Sequence, residues 1–210
     1  MKSINNFISE ALRINKNIQT RNYTDFPKTK EELRKIIQTR YNESSTTFTE
    51  QSFNLNDIDV SAIKDFSDLF DDINLPLVKI LDVSDWEVSN ATNISYMFRD
   101  LKYVEEIKVD NWNVTEIRKF VGVFSLCEKL KKIDLSNWNP RSAQIMKYMF
   151  NGCENLESIG NVSNWNLKQA LDLHKMFAKC HMLKLDISSW RFNKKANKEN
   201  INIEAPGVTV

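Results

Sequence analysis

The chain has 210 residues, of which 41% are hydrophobic and 27% charged, a composition typical of a folded globular protein. Its 29 basic and 28 acidic residues nearly cancel, which excludes the strong positive field of proteins that bind nucleic acid nonspecifically. No run of about 18 apolar residues is present, and the N-terminus lacks a secretory signal pattern. We therefore expect no membrane insertion and no nucleic-acid partner.

Residues 1–20 are predicted to be a separate amphipathic segment, because SINNFISEALRI has the apolar spacing of a short helix. Its sequence resembles the N-terminal targeting peptides of internal head proteins in large tailed phages, which are cut after a glutamate. The matching residues are Met1, Lys2, Phe7, Ile8, Glu10 and Ala11. The resemblance implies a processing site at Ile8, Glu10 and Ala11. The alternative is a helix that docks on the rest of the protein.

Residues 21–52 are predicted to form a helical cap followed by a loop. Within TKEELRKIIQTRY, Thr29 and Glu32 have the spacing of a capping box, and Leu33 and Ile37 share one face. Arrays of stacked repeats need a terminal unit with a polar outer side. This helix is therefore expected to cover the first unit of the repeat that follows.

Residues 53–192 contain a repeat marked by tryptophan. The five tryptophans are separated by 26, 26, 27 and 25 residues, and a phenylalanine follows each of the first four by 12 residues. Three of these phenylalanines precede a cysteine by 3 residues. The full trios are Trp112, Phe124 and Cys127; Trp138, Phe150 and Cys153; and Trp165, Phe177 and Cys180. Such a period predicts about six stacked units, the sixth beginning at LDISSWRF and stopping there.

Each unit is predicted to contain one short strand and one short helix. The spacing L-x-x-L-x-L-x-x-W alternates as a half-buried strand should. It is formed by Leu130, Ile133, Leu135 and Trp138, and again by Met182, Leu185, Ile187 and Trp190. A helical period follows in Ile94, Met97, Phe98 and Leu101. An extra residue in the IGN stretch at Ile159 predicts a local bulge.

The repeats resemble those of the BspA-type leucine-rich surface-protein family. The resemblance is carried by LDVSDWEVSNATNISYMF and IDLSNWNPRSAQIMKYMFNGCENLESI, and it extends over about residues 54–192. It implies an α/β, leucine-rich-repeat-like solenoid, with short parallel strands on the concave side, short helices on the convex side and an N-terminal helical cap. Members occur on bacterial surfaces, where some bind host matrix proteins, and in bacteriophage genomes.

The repeated tryptophans and phenylalanines are expected in the core, because the tryptophans keep the inward phase of the strand residues and the phenylalanines line the helix that faces them. An exposed aromatic ladder that binds sugars or bases is the alternative. The cysteines Cys127, Cys153 and Cys180 are expected to be reduced and packed. Bridges between neighbouring units are geometrically possible, since parallel strands lie about 4.8 Å apart, but an apolar setting disfavours the thiolate.

Strand residues that alternate with the core are predicted to form a polar concave face. They are Asp82, Ser84, Lys108, Asp110, Asp134, Ser136, Asn161, Ser163, Asp186 and Ser188. This face is either a solubilising surface or a binding site for a protein partner, which could be basic or a component of a capsid or scaffold. Residues 193–210 form a charged tail whose end either adds a strand to the last unit or stays loose.

No nucleophile elbow, phosphate-binding loop or paired-cysteine metal motif is found, so no cofactor, metal site or catalytic residue is predicted. We expect a non-enzymatic interaction or structural protein, encoded by a phage and packaged in or associated with the virion, or else located in the cytoplasm of the host bacterium. The alternative is a cell-associated bacterial adhesin or effector of the BspA-like type.

Overall fold

A computed structural model describes residues 21–44 and 51–210. Within these residues the chain forms one helix, α1 (Lys30–Ser44), and seven short strands. The strands are β1 (Ser52–Asn54), β2 (Ile80–Asp82), β3 (Glu106–Lys108), β4 (Asn166–Leu167), β5 (Leu185–Asp186), β6 (Arg191–Phe192) and β7 (Val208–Thr209). The proposed processing residues Ile8, Glu10 and Ala11 lie outside the described residues.

Successive units pair in parallel, one repeat apart. β1, β2 and β3 form one sheet, in which Phe53 aligns with Leu81 and Leu81 with Ile107. β4 pairs with β6, and β5 pairs with β7. Single bridges continue the ladder through Lys132, which pairs with Glu106 on one side. The units are therefore stacked in sequence order, while their classification as a leucine-rich-repeat-like solenoid stays a prediction.

Aromatic columns fill the core of the stack. All five tryptophans are buried, with exposed fractions of 2% to 5%, which confirms the core interpretation. The phenylalanine rings stack along the array, with centroid separations of 5.3 to 5.5 Å. This column comprises Phe70, Phe98, Phe124, Phe150 and Phe177. Stacked rings of this kind stabilise the contact between neighbouring units beyond the area they bury.

The segment after each tryptophan, where a helix was predicted, is a series of turns. Tyr96 and Asp100 have positive φ angles of 57° and 64°, which an α-helix does not contain. The N–H of Tyr96 donates to the carbonyl of Val121 in the next unit (2.7 Å), and that of Asp100 donates to Ser125 (2.9 Å). Helical hydrogen bonds would instead stay within the segment.

Two positions per unit are left-handed throughout the array, and only two of these twelve residues are glycine. They are Asp68, Asp72, Tyr96, Asp100, Gly122, Leu126, Tyr148, Gly152, Lys175, Lys179, Asn200 and Glu204. Four-residue turns, such as the one closed by the hydrogen bond from the Met97 N–H to the Ile94 carbonyl (3.2 Å), include these positions. They bury residues with a spacing that imitates a helix. The apolar period therefore predicts the buried residues of this segment correctly, but its prediction of a helical backbone is wrong.

Helix α1 covers the first unit. Its predicted capping box is confirmed, because the hydroxyl of Thr29 accepts from the N–H of Glu32 (3.1 Å) and the Glu32 carboxylate accepts from the N–H of Thr29 (3.3 Å). Leu33, Ile37 and Tyr41 are buried against the array.

Two side chains of α1 also bind the open backbone of the first unit. Lys30 Nζ donates to the carbonyl of Ser67 (2.9 Å), and Arg34 donates to the carbonyl of Leu69 (3.0 Å). In later units, the equivalent carbonyls accept a backbone N–H from the unit before. The cap thus replaces the donors that a preceding unit would supply.

The chain after residue 192 completes the sixth unit. Asn202 and Ala205 stand 12 and 15 residues after Trp190, in the places of phenylalanine and cysteine. The carbonyl of Ile201 accepts from the N–H of Phe177 (2.8 Å), and β7 pairs with β5. Of the two alternatives for the tail, the structure has the added strand.

One predicted core position is wrong. Met182 is 56% exposed, and Leu183 is buried in its place. Leu183 follows Cys180 by 3 residues, as Leu130 follows Cys127. Trp190 follows Leu183 by 7 residues, whereas Trp138 follows Leu130 by 8. This one-residue difference accounts for the spacing of 25 residues between Trp165 and Trp190.

The predicted irregularity at Ile159 is present. Gly160 has a positive φ of 78°, and an added Cβ there would lie 2.3 Å from Oδ1 of Asp134. Beyond it, Trp165 is displaced relative to Trp138: ring stacking joins Trp112 to Trp138 and Trp165 to Trp190, whereas the described residues show no ring contact between Trp138 and Trp165. Among the described residues, the tryptophan rings therefore stack in two pairs and not in one continuous column.

Candidate partner-binding face

The ten polar residues predicted to face outward lie on the strand side of the units. We call this set the strand-side face: Asp82, Ser84, Lys108, Asp110, Asp134, Ser136, Asn161, Ser163, Asp186 and Ser188. The first four are half-buried and the other six are exposed. Asp82 ends β2 and is aligned with Lys108, which ends β3.

Most of the acidic and amide groups of this face bind their own backbone. Oδ1 of Asp134 accepts from the N–H and the hydroxyl of Ser136, at 2.9 and 2.6 Å. Asp82 and Ser84 repeat the contact, at 3.2 and 2.8 Å. Asn161 with Ser163, and Asp186 with Ser188, close equivalent turns. Such side-chain turns direct the chain out of the strand, so the recurring Asp-x-Ser spacing has a structural role that sequence reasoning missed.

Asp82 is the most enclosed carboxylate of the face. Burial tends to raise its pKa, but hydrogen bonds from Asn56 (2.8 Å) and Ser84, together with the charge of Lys108, outweigh burial and lower that pKa below its ordinary value. Lys108 Nζ lies 3.4 Å from Oδ2 of Asp82. Asp82 and Lys108 are thus largely engaged with each other and with the array.

The remaining carboxylates of the face are available to a partner. Within residues 21–44 and 51–210, no cationic group lies within 4.0 Å of the carboxylates of Asp110, Asp134 or Asp186. Asp110 and Asp134 border an open depression of about 360 Å³ that is also lined by Lys108 and Lys132. The exposed part of the face therefore offers unpaired negative charge beside a shallow, mixed-charge depression.

A column of alternating charge runs beside this face, at positions that the sequence pattern does not mark. Lys79 Nζ lies 2.8 Å from Oε1 of Glu105, and Lys131 Nζ lies 2.6 Å from Oε2. The hydrogen bonds from Lys131 and Lys79 lower the pKa of Glu105 to about 2. Glu157 occupies the next place, since its N–H donates to the carbonyl of Lys131. We call Lys79, Glu105, Lys131 and Glu157 the charge column.

The three cysteines are free and buried, as predicted. Each thiol donates to the carbonyl of a phenylalanine in the preceding unit, at 3.0 to 3.1 Å. Burial raises the pKa of Cys127 and of Cys180 to about 12, and it raises that of Cys153 as well. In the part of the chain that the structure describes, no group of three or more His, Cys, Asp or Glu residues is placed to hold a metal ion.

Comparison with protein families gives two overlapping matches, over residues 38–152 and 102–207, to a family described as Mycoplasma protein of unknown function, DUF285. The chain belongs to the DUF285 family. This family is associated with BspA-like surface repeat proteins, in agreement with the resemblance found in the repeats. No curated protein and no solved structure matches the chain. Among the described residues of this DUF285 protein, none forms a helix long and apolar enough to cross a membrane.

Proposed function

We propose that this DUF285 protein is a non-enzymatic interaction or structural protein, built as a leucine-rich-repeat-like solenoid. The observation that carries the proposal is that the residues defining the repeat are used in packing. The tryptophans and phenylalanines are stacked in the core, and the cysteine thiols are bonded to buried carbonyls. The outward side chains are then free to differ between units, and stacked repeats of this kind offer extended surfaces for binding.

The partner we propose is a protein with a basic surface, bound at the strand-side face. The support is the unpaired charge of Asp110, Asp134 and Asp186 on exposed or half-buried positions. Large aromatic anchors are absent from the ten residues of this face, so the interaction should depend on charge and be weakened by salt. With a net charge of +1, the chain is not proposed to bind nucleic acid.

The test combines Asp110→Asn, Asp134→Asn and Asp186→Asn in one variant. Asparagine keeps the Oδ1 acceptor that closes the Asp-x-Ser turns, so the fold should survive while the charge is lost. Binding of a fluorescent ten-residue peptide of alternating Lys and Ser should weaken, and urea unfolding should change little. Asp72→Asn, on the opposite side of the unit, is the matched control. Equal binding by the triple variant and the control would place binding elsewhere.

As a finer proposal, the protein is phage-encoded and packaged in or associated with the virion. Its support is the likeness of residues 1–11 to phage targeting peptides. Protein from purified particles should begin at Ala11, and Glu10→Gln should block that cleavage. An intact Met1 in particles would contradict processing.

The alternative is a cell-associated adhesin or effector, favoured by the association of the DUF285 family with BspA-like surface repeats. Recovery of the protein from host cell surfaces, with none in virions, would support this second function. Recovery of the protein from the host cytoplasm alone would contradict both the virion and the cell-surface location. The protein would then have a structural or interaction role inside the host cell.

A further inference from the structure

One side of the stack carries an open depression with a polar lining, which we call the basic depression. Its volume is about 580 Å³, and it extends over the third, fourth and fifth units. Three cationic side chains, three amides and one hydroxyl line it: Arg118, Arg141, Ser142, Gln144, Asn166, Lys168 and Gln169. None of these seven residues has a carboxylate or an apolar side chain, and none belongs to the strand-side face. The basic depression is therefore a separate surface, rich in hydrogen-bond donors.

Stacking of the units places these groups in register. The N–H of Gln144 donates to the carbonyl of Arg118 (2.9 Å), which joins the fourth unit to the third. Nδ2 of Asn193 in the sixth unit donates to the carbonyl of Lys168 in the fifth (3.0 Å), and two further lysines follow Asn193 directly in the chain. Neighbouring parallel strands lie about 4.8 Å apart. The cations therefore form a row along the stack.

Packing of the repeat does not require cations at these positions. The third residue after the tryptophan is Ser89 in the second unit and Thr115 in the third, whereas it is Arg141 in the fourth and Lys168 in the fifth. The residue just before it is buried in all four units. The buried neighbour is thus kept, while the outer residue changes from a hydroxyl to a cation. The positive charge of the later units therefore needs an explanation other than folding.

The cations of the basic depression are available to a ligand. Nη2 of Arg141 lies 3.3 Å from Oε1 of Glu116, but both side chains are more than half exposed, so this ion pair is weak. Arg118 and Lys168 are exposed, and among the described residues no carboxylate lies within 4.0 Å of their charged groups. The depression therefore carries positive charge that the described chain does not neutralise.

The lining disfavours protein and nucleic-acid ligands. Protein interfaces have an apolar centre with aromatic anchors, and single-stranded nucleic acids stack their bases on aromatic side chains. The seven lining residues provide neither. Duplex nucleic acid is bound by strongly basic domains, whereas the net charge of this chain is +1.

We propose that the basic depression binds a linear sulfated polysaccharide. Sulfate oxygens only accept hydrogen bonds, and guanidinium groups such as those of Arg118 and Arg141 present paired N–H donors to oxyanions. Sugar hydroxyls both donate and accept, as do the side-chain amides of the lining. A linear polymer also matches a row of cations that continues from unit to unit. This inference goes beyond the proposed function, because it concerns a second surface and a ligand that is not a protein.

The test uses the full chain and a fluorescent heparin hexasaccharide, with the unsulfated hexasaccharide of the same backbone as the control. Fluorescence anisotropy should show binding of the sulfated sugar that weakens as salt increases, since exposed charges are screened. The unsulfated sugar should bind at least roughly tenfold more weakly, as expected when charged acceptors are lost. Equal binding of the two sugars would overturn the proposal. Tighter binding of a single-stranded DNA oligonucleotide with the same number of charges would also overturn it, because the ligand would then be a nucleic acid.

Variants locate the binding site. Arg118→Gln combined with Lys168→Gln should weaken heparin binding roughly tenfold or more and leave urea unfolding unchanged, because both side chains are exposed. Lys35→Gln combined with Lys179→Gln is the matched control, since it removes the same charge at exposed positions outside the depression. Equal weakening by the two double variants would show that binding follows net charge, and it would overturn the site. The triple Asp→Asn variant of the strand-side face should bind heparin at least as tightly as the unmodified chain, so the two proposals fail independently.

Discussion

Nε1 of Trp138 donates a hydrogen bond of 3.0 Å to the carbonyl of Val109 in the preceding unit. The equivalent Nε1 of Trp165 is buried without a partner among the described residues. The extra residue at Gly160 lies between these two tryptophans in the chain. Trp138 and Trp165 occupy the same position in the repeat but differ in whether the indole N–H has a hydrogen-bond acceptor among the described residues.

We expect Trp138→Phe to destabilise the protein more than Trp165→Phe, by about 1–3 kcal/mol. Both changes remove similar ring area, but the first also removes a buried hydrogen bond, and the second removes a buried donor that has no acceptor. Urea unfolding of the two variants measures the difference. A larger loss for Trp165→Phe would mean that its Nε1 has an acceptor.

The three thiols should react slowly with an alkylating reagent in native buffer and quickly after denaturation. The thiolate is the reactive form, and burial raises the pKa of Cys127 and of Cys180 to about 12. Counting labelled cysteines by mass spectrometry, before and after adding urea, checks this. Rapid native labelling, or a mass lower by one disulfide, would refute it.

Glu105→Gln should destabilise the protein at neutral pH and have little effect near pH 2. The pKa of Glu105 is lowered from 4.5 to about 2 by Lys131 and Lys79, so its stabilisation is complete above about pH 4.5 and is lost as the pH falls toward 2. Urea unfolding of both proteins across this range measures the effect. Glu116→Gln, at an exposed ion pair with Arg141, is the control and should change stability little at any pH.

Arg34→Met should cost about 1–3 kcal/mol, because it leaves the carbonyls of Leu69 and Asp71 without a donor among the described residues. The methionine keeps much of the apolar stem, so the loss reports the hydrogen bonds. Lys35→Met, at an exposed neighbouring position of α1, should change stability by less than about 0.5 kcal/mol. Thermal unfolding of the two variants compares them, and equal effects would show that α1 covers the first unit by apolar contact alone.

The sequence predicted the core of this protein better than its backbone. Tryptophan, phenylalanine and cysteine recur at fixed spacing. Burial of the tryptophans follows from the strand phase, and burial of the phenylalanines and cysteines follows from the apolar period of the segment after each tryptophan. The turns could not be predicted at Tyr96 and Asp100. Both residues have left-handed backbone conformations, which a sequence indicates only where the residue is glycine. Without that signal, an apolar spacing of three and four residues is indistinguishable from a helix.

The last unit and the charge column were missed for different reasons. Asn202 and Ala205 keep the spacing of the repeat but replace the residue types that mark it, so the sequence pattern predicts a tail there. Lys79 and Glu105 lie 26 residues apart, and only the register of the ladder brings them together. On the strand-side face, the residues were identified from alternation, whereas the turns that hold Asp82 and Asp134 required the structure.

The charge column also has a consequence for folding errors. Near-identical units allow a chain to skip one unit and stack on the next, since the same tryptophan and phenylalanine contacts would form. Such a skip would bring Lys79 beside Lys131 and Glu105 beside Glu157, replacing attractive contacts with repulsive ones. The alternating charges thus distinguish neighbouring units whose core residues are of the same type. They disfavour the omission of a unit and the exchange of units between two chains.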